Sequence, residues 1–236
     1  MHIEAIKTHL LTPPQDDLFK AIQESNLSLS EEDVLVVSSK VVAIHEGRCV
    51  LAKDVDKESL VEKESDVYIK DADSRWRICI KHGTFLSGAG IDESNADEHL
   101  ILLPEDPHKS AREIHEFLTK TYNVKKLGVI VADSHSAPLR YGTVGVALGW
   151  YGCEPVSYYT GKPDLFNRPA QFTRINVVDS LAVAGVFAMG ELAEQTPLCH
   201  IQDIPHIVFT NRDTSQELFI PPREDIYWPL LKNLYT

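Results

Sequence analysis

Between Asp16 and Glu24 the apolar residues fall at positions 18, 19, 21 and 22, followed by Leu27 and Leu29, a spacing that predicts a short amphipathic helix. The pattern then changes. VLVVSS, from Val34 to Ser39, is an unbroken apolar run closed by two hydroxyls and predicts a buried strand. VVAIHEGRCV, residues 41–50, continues it, with Glu46-Gly47 expected as a turn between extended segments, so Lys40 would stand in mid-strand. Ser59 to Ser65 reads as helical. Pro107 to Lys120 sets Ile114, Phe117 and Leu118 on one helical face, with Pro107 at the helix start. LGVIVADS, from Leu127 to Ser134, is the clearest buried strand, and beyond it Gly142, Gly145, Gly149 and Gly152 recur every three or four residues. Asp179 to Met189 predicts a mostly buried helix, and HIVFT, residues 206–210, a short strand. The tail from Arg223 predicts a helix that Pro229 interrupts.

Strands and helices in this order do not alternate as βαβ units, so the fold class expected is α+β with mixed sheets. Neither G-x-G-x-x-G nor G-x-x-x-x-G-K-[ST] occurs, which removes the Rossmann fingerprint and the P-loop. The 236 residues, 43% hydrophobic and 25% charged, suffice for one large domain or two small ones with a real core. A net charge of −12 argues against nucleic acid and against an anionic membrane surface as partners. An anionic small substrate would need local basic residues or metal ions. MHIEAIKTHLL lacks a signal-peptide core, and the longest apolar stretch, Leu181 to Met189, is far short of the ~20 residues that span a bilayer. Cys49, Cys79, Cys153 and Cys199 are widely spaced without a C-x-x-C pair, as reduced, mostly buried thiols are. A cytoplasmic protein is expected.

Three stretches could carry chemistry. SGAGIDESNADEH places four acids and an asparagine within seven residues, yet it is no EF-hand, because Asp97 and Leu103 occupy the sixth and twelfth positions counted from Asp92. Asp92 follows Gly90-Ile91, where the backbone can turn sharply and aim a carboxylate; a solvated acidic loop is the alternative. In VIVADSHSAPLR, Asp133 ends an apolar strand beside the Ser134 hydroxyl, a common seat for Mg²⁺ or Mn²⁺ and also a common loop start. Arg140 could meet a phosphate or carboxylate as a two-pronged donor, or form a surface salt bridge. Lys40, between apolar runs, either snorkels to water or meets an anion. His82 and His135 could each be a ligand or proton carrier, or a hydrogen-bonded structural histidine.

The succession DDLFKAI, VLVVSSKVVAIHEGR, LVEKES, GAGIDESNA, LLPEDPHKSA, LGVIVADS, PLRYGTVGVALG and MGELAEQTP resembles the γ-glutamyl ligase family. The family's best-known reaction adds glutamate to the deazaflavin coenzyme F420 precursor. The resemblance runs from about Ile6 to about Ile204. It implies one family unit over residues 1–236, with room for two intertwined α+β subdomains, working as an intertwined homodimer. It also implies Mg²⁺ or Mn²⁺ at Asp92, Asp133 and Ser134. GTP or ATP would contact Ser38, Ser39, Lys40 and Asn95, with Leu11, Thr12 and Pro13 as an N-terminal nucleotide loop. His82 and Arg140 become candidate substrate contacts, and His82 and Glu93 candidate bases. The implied chemistry is attack of an acceptor carboxylate on the γ-phosphate, then displacement of phosphate by the amine of L-glutamate. HSAPLR, GKPDLF and GELAEQTPL look more like the branch linked to folate metabolism, so the acceptor is either a deazaflavin or a folate or pteroate. A metal-dependent phosphohydrolase and a catalytically silent nucleotide-binding protein are the rival classes.

Overall fold

The computed structural model describes residues 1–69 and 77–234. The chain runs through β1 (His2–Ile6), α1 (Leu18–Glu24), β2 (Asp33–Ser38), α2 (Ser39–His45), β3 (Cys49–Leu51), α3 (Lys57–Glu64) and β4 (Val67–Ile69). Next come β5 (Ile78–Lys81), β6 (Thr84–Ser87), β7 (His99–Ile101), α4 (Pro107–Tyr122), β8 (Leu127–Ser136) and β9 (Thr143–Tyr151). β10 (Val156–Tyr158), β11 (Arg174–Asn176), α5 (Val177–Met189), β12 (Leu198–Gln202) and α6 (Trp228–Leu231) complete it. The architecture is α+β. A central sheet has the order β1-β12-β2-β8-β9, in which β2 and β8 are parallel and the other neighbours antiparallel. Smaller sheets pair β3 with β7, β10 with β11, and β4-β5-β6 in sequence.

Alternate residues of β2 and β8 define two layers. Leu35, Val37, Val129 and Val131 pack with Leu18, Ile22, Ile44 and Leu118 of α1, α2 and α4. Val34, Val36, Ile130 and Ala132 pack with Val178, Leu181 and Ala182 of α5. Strands covered on both faces need apolar residues at every position, which is why VLVV and LGVIVA show no alternation. Asp17 caps α1, Asp106 caps α4 just ahead of Pro107, and Asn176 caps α5.

Three expectations are corrected. Residues 39–45 are helical, not extended. Five of them (Ser39, Val41, Val42, Ala43 and Ile44) are buried, so no polar face betrays the 3.6-residue period, and packing overrides the β-branched preference. Gly47, at φ +68°, stops that helix just past Glu46, so Glu46-Gly47 is a helix terminus, and Lys40 sits in the first turn of α2. Residues 206–210 form no strand: Phe209 makes one isolated bridge, to Cys153. In the tail, residues 222–224 form one 3₁₀ turn, and Pro229 lies in the first turn of α6, where a missing N–H does no harm.

Two of the recurring glycines, Gly145 and Gly149, mark where helices rest directly on β9. A Cβ at Gly145 would lie 2.3 Å from the carbonyl oxygen of Ala182 in α5, and one at Gly149 would lie 2.3 Å from the carbonyl carbon of Pro107 in α4. Both obstacles are backbone and cannot rotate away. Gly149→Ala is therefore expected to destabilise the fold by about 3 kcal/mol, read from the urea midpoint; an unchanged midpoint would mean that α4 does not seat on β9. All four cysteines are free thiols. Among the described residues no helix is long and apolar enough to cross a membrane.

Candidate active site

Because β2 and β8 run parallel, with Ser38 opposite Ala132, their carboxyl-terminal ends arrive together. Ser39, the first residue of α2, and Asp133, the next residue of β8, make the first contact of the site. The Ser39 hydroxyl donates to Asp133 Oδ2 at 2.6 Å, and the Ser134 backbone N–H donates to Asp133 Oδ1 at 2.7 Å. Desolvation pushes the Asp133 carboxyl up to about 6; the two hydrogen bonds oppose the rise and the negative charge of Asp92 adds to it.

Asp92 comes from the acidic loop. Its backbone pairs with Ile101 in both directions at 2.9 Å, which pins the loop to the end of β7. Its Oδ1 accepts the Ser94 N–H at 2.7 Å, a local turn that fixes the carboxylate's direction. Lys40 reaches across from α2. Its ammonium lies 2.7 Å from Asp92 Oδ2 and donates to the Ser94 hydroxyl at 3.0 Å and the Ser94 carbonyl at 3.2 Å. Desolvation pushes Asp92 upward, but the hydrogen bonds from Lys40 and Ser94 outweigh it and hold the carboxyl below its ordinary range.

A third segment follows α5. Asn95 Nδ2 donates to the Leu192 carbonyl at 2.8 Å, joining the acidic loop to this segment. The Ser134 hydroxyl donates to Glu191 Oε2 and the Thr143 hydroxyl to Glu191 Oε1, both at 3.3 Å. Together these elements enclose a cleft of about 580 Å³ that Leu11, Ser38, Ser39, Lys40, Asp92, Asn95, Asp133 and Ser134 all line.

The remaining sequence candidates lie elsewhere. Thr12 donates its N–H and hydroxyl to Asp16, and Pro13 precedes a cis bond to Pro14; neither lines the cleft. His82 sits in the β5–β6 turn, its Nε2 3.1 Å from the Pro104 carbonyl. Arg140 is exposed between β8 and β9. Glu93 is exposed and bridges Lys57 at 2.6 Å. His135 is half-buried, with an Nδ1 that has no partner among the described residues.

Residues 5–203 match the F420-0:Gamma-glutamyl ligase family. The chain belongs to this family. The Coenzyme F420:L-glutamate ligase of Methanopyrus kandleri is 31% identical over 242 positions, spanning 95% of this chain and 92% of its own. The protein of the same name from Methanococcus maripaludis is 32% identical over 86% of this chain and 88% of its own. The one from Methanocaldococcus jannaschii is 28% identical over 89% and 93%.

For this γ-glutamyl ligase family member the donor chemistry decides whether a hard divalent ion fits. Among the described residues no three His, Cys, Asp or Glu side chains form a ready ligand set. Mg²⁺ and Mn²⁺ do not require one, since they bind through one or two carboxylates, water and substrate phosphates. Asp92, Asp133, the Ser134 hydroxyl and Glu191 are all oxygen donors lining the cleft, so the residues fit such an ion. Glu191 and Ser94 were missed in the sequence. The signal for Glu191 was an acid placed directly after Gly190, which ends α5. A second cavity of about 730 Å³ opens near Phe219; among the described residues it is lined by Glu105, Asp106, Asp179 and Asp225 and by no Lys or Arg, which disfavours a phosphate there.

Proposed function

We propose that this chain is a nucleotide-dependent γ-glutamyl ligase that joins L-glutamate to an acceptor carboxylate, using GTP or ATP and Mg²⁺ or Mn²⁺. The observation that carries this reading is the meeting of Lys40 and Ser39 with Asp92 and Asp133 in one cleft. A lysine and oxygen donors for a cation there let a chain of net charge −12 accept a triphosphate. Asp92, Asp133 and Ser134 would hold the ion, with Glu191 in reach, and the ion would supply Lewis-acid polarisation and charge neutralisation. Lys40 would exchange Asp92 and Ser94 for phosphate oxygens, and Ser38, Ser39 and Asn95 would position the nucleotide beside it. The acceptor carboxylate attacks the γ-phosphorus and releases the diphosphate. The amine of glutamate then attacks the acyl carbon and releases phosphate.

The relatives' names support the coenzyme F420 precursor as acceptor, while the HSAPLR segment, residues 135–140, which resembles the folate-linked branch, supports a folate or pteroate acceptor used at least as well. We further propose a homodimer. Leu139 and Tyr141 between β8 and β9, and Leu165, Phe166 and Phe172 between β10 and β11, are each more than 80% exposed, an amount of apolar surface that a second copy would cover. The test is turnover of labelled glutamate with each acceptor under one nucleotide and metal, with the mass in solution measured alongside. Deazaflavin product without any pterin product would remove the folate reading. Phosphate release that needs no glutamate would mark a phosphohydrolase, and binding without product a silent protein.

A further inference from the structure

We infer that Asp179 is a positioning residue: from the first turn of α5 its carboxylate clamps the β-bulge of β9 that sets where the Asp133–Ser134 end of β8 lies. The consequence for chemistry rests on the ligase reading; the clamp itself does not.

Val131 pairs with Gly149, but Ala132 pairs with Ala147, so Leu148 is an extra residue on β9. The shift falls one residue before Asp133. A bulge leaves backbone unpaired, bends the strand and increases its twist. Asp179 meets it directly, Oδ1 accepting the Ala147 N–H at 2.9 Å. The other oxygen is also held. Asn176 Nδ2 donates to Asp179 Oδ2 at 2.5 Å, and Asn176 Oδ1 accepts the Asp179 N–H at 3.1 Å. The carboxylate is thus fixed by the cap of its own helix and spans from that cap to the strand. The close approach of Ala182 to Gly145 seats α5 on the same stretch of β9.

Past the shift the register runs from Asp133 opposite Val146 to Ser136 opposite Thr143. Thr143 is the residue whose hydroxyl reaches Glu191, and Ser134 holds the other oxygen of that carboxylate. A one-residue slip of β9 would turn Thr143 to the opposite face and undo this arrangement. Asp179 lies in neither the nucleotide nor the metal contacts, so its influence passes through the strand.

The test uses the full chain with Mn²⁺ alone, following the free ion by electron paramagnetic resonance and hydrogen exchange in residues 143–147. Asp179→Ala is expected to speed that exchange and to weaken Mn²⁺ binding by about 10- to 100-fold, as for other residues that orient metal ligands. Asp179→Asn, which keeps an oxygen for the Ala147 N–H, should retain most of the affinity. Leu181→Ala, a buried site on the same helix, should lower the melting temperature and leave Mn²⁺ affinity unchanged. If the alanine variant does not fold, Asp179→Ser replaces it, being too short to reach Ala147. Wild-type Mn²⁺ affinity in the alanine or serine variant, an equal loss in Leu181→Ala, or unchanged exchange in residues 143–147 of the alanine variant would each overturn the clamp; no Mn²⁺ binding by the wild type would remove the metal reading and leave the exchange to decide the clamp. Asp179-dependent Mn²⁺ binding in a wild type that forms no glutamyl amide would remove the ligase reading and leave the clamp standing.

Discussion

Asp133→Asn is expected to slow amide formation by about 100-fold or more, the scale of losing one preorganised charge-stabilising group, while making the metal-free protein more stable at neutral pH. The two effects share a cause. Asp133 is pushed up to about 6 from an ordinary 3.8, chiefly by desolvation. Between those values the folded chain holds a proton that the unfolded chain has released. The contribution of this group to stability therefore falls as pH rises through that window, and above it the folded protein carries the full cost of the ionised carboxylate. A neutral amide avoids that cost: its oxygen can accept from the Ser134 N–H, and the Ser39 hydroxyl can turn to accept from its NH₂. The interval corresponds to about 3 kcal/mol, which contact with cleft water reduces to about 2 kcal/mol. Urea unfolding with chelator should show the gain near neutral pH and its disappearance below the ordinary aspartate value. Equal stability of the two proteins at neutral pH would mean that Asp133 is well solvated.

Lys40→Ala is expected to weaken nucleotide binding by about 1.5–3 kcal/mol, the range for hydrogen bonds to charged groups, which is roughly 10- to 150-fold. The ammonium already meets three oxygens of Asp92 and Ser94, so it is held in the cleft before any ligand arrives. Little ordering entropy remains for binding to overcome. The fold should survive, because a partly exposed ion pair contributes about 1 kcal/mol or less. Calorimetry with nucleotide and Mg²⁺ decides. Unchanged affinity would leave Lys40 as an anchor for the acidic loop and nothing more.

Much of this site was legible because its parts sit at the ends of strongly patterned segments. VLVVSS and LGVIVADS announce buried strands by apolar runs alone, and their terminal hydroxyls and acid face the cleft. What failed is equally specific. SKVVAIH is buried on nearly every side, and such a run is the same in a strand or a helix. The punctuation was available: Ser38 at the start and Gly47 after the end frame a helix of seven residues. His82 and Arg140 were singled out by residue type, but nothing local tells how a turn is carried by the sheet beneath it. Glu191 escaped for a related reason. Its meaning depends on Ser134, which is 57 positions away in the chain and adjacent only through the packing of α5 against β9. Pairings of that kind are a property of topology, not of any window of sequence.

The place of β12 between β1 and β2 governs how this protein can be made. β1 and β2 are completed early in synthesis, yet neither pairs with the other; both wait for residues 198–202. Until the ribosome has passed that point, β1 has no partner in the sheet and one edge of β2 stands open. Those are the unpaired strands on which nascent chains misassociate. Closure across nearly the whole length of the polypeptide also predicts slow folding for a protein of this size. Truncation ahead of β12 should therefore yield an aggregating chain, not a smaller working enzyme.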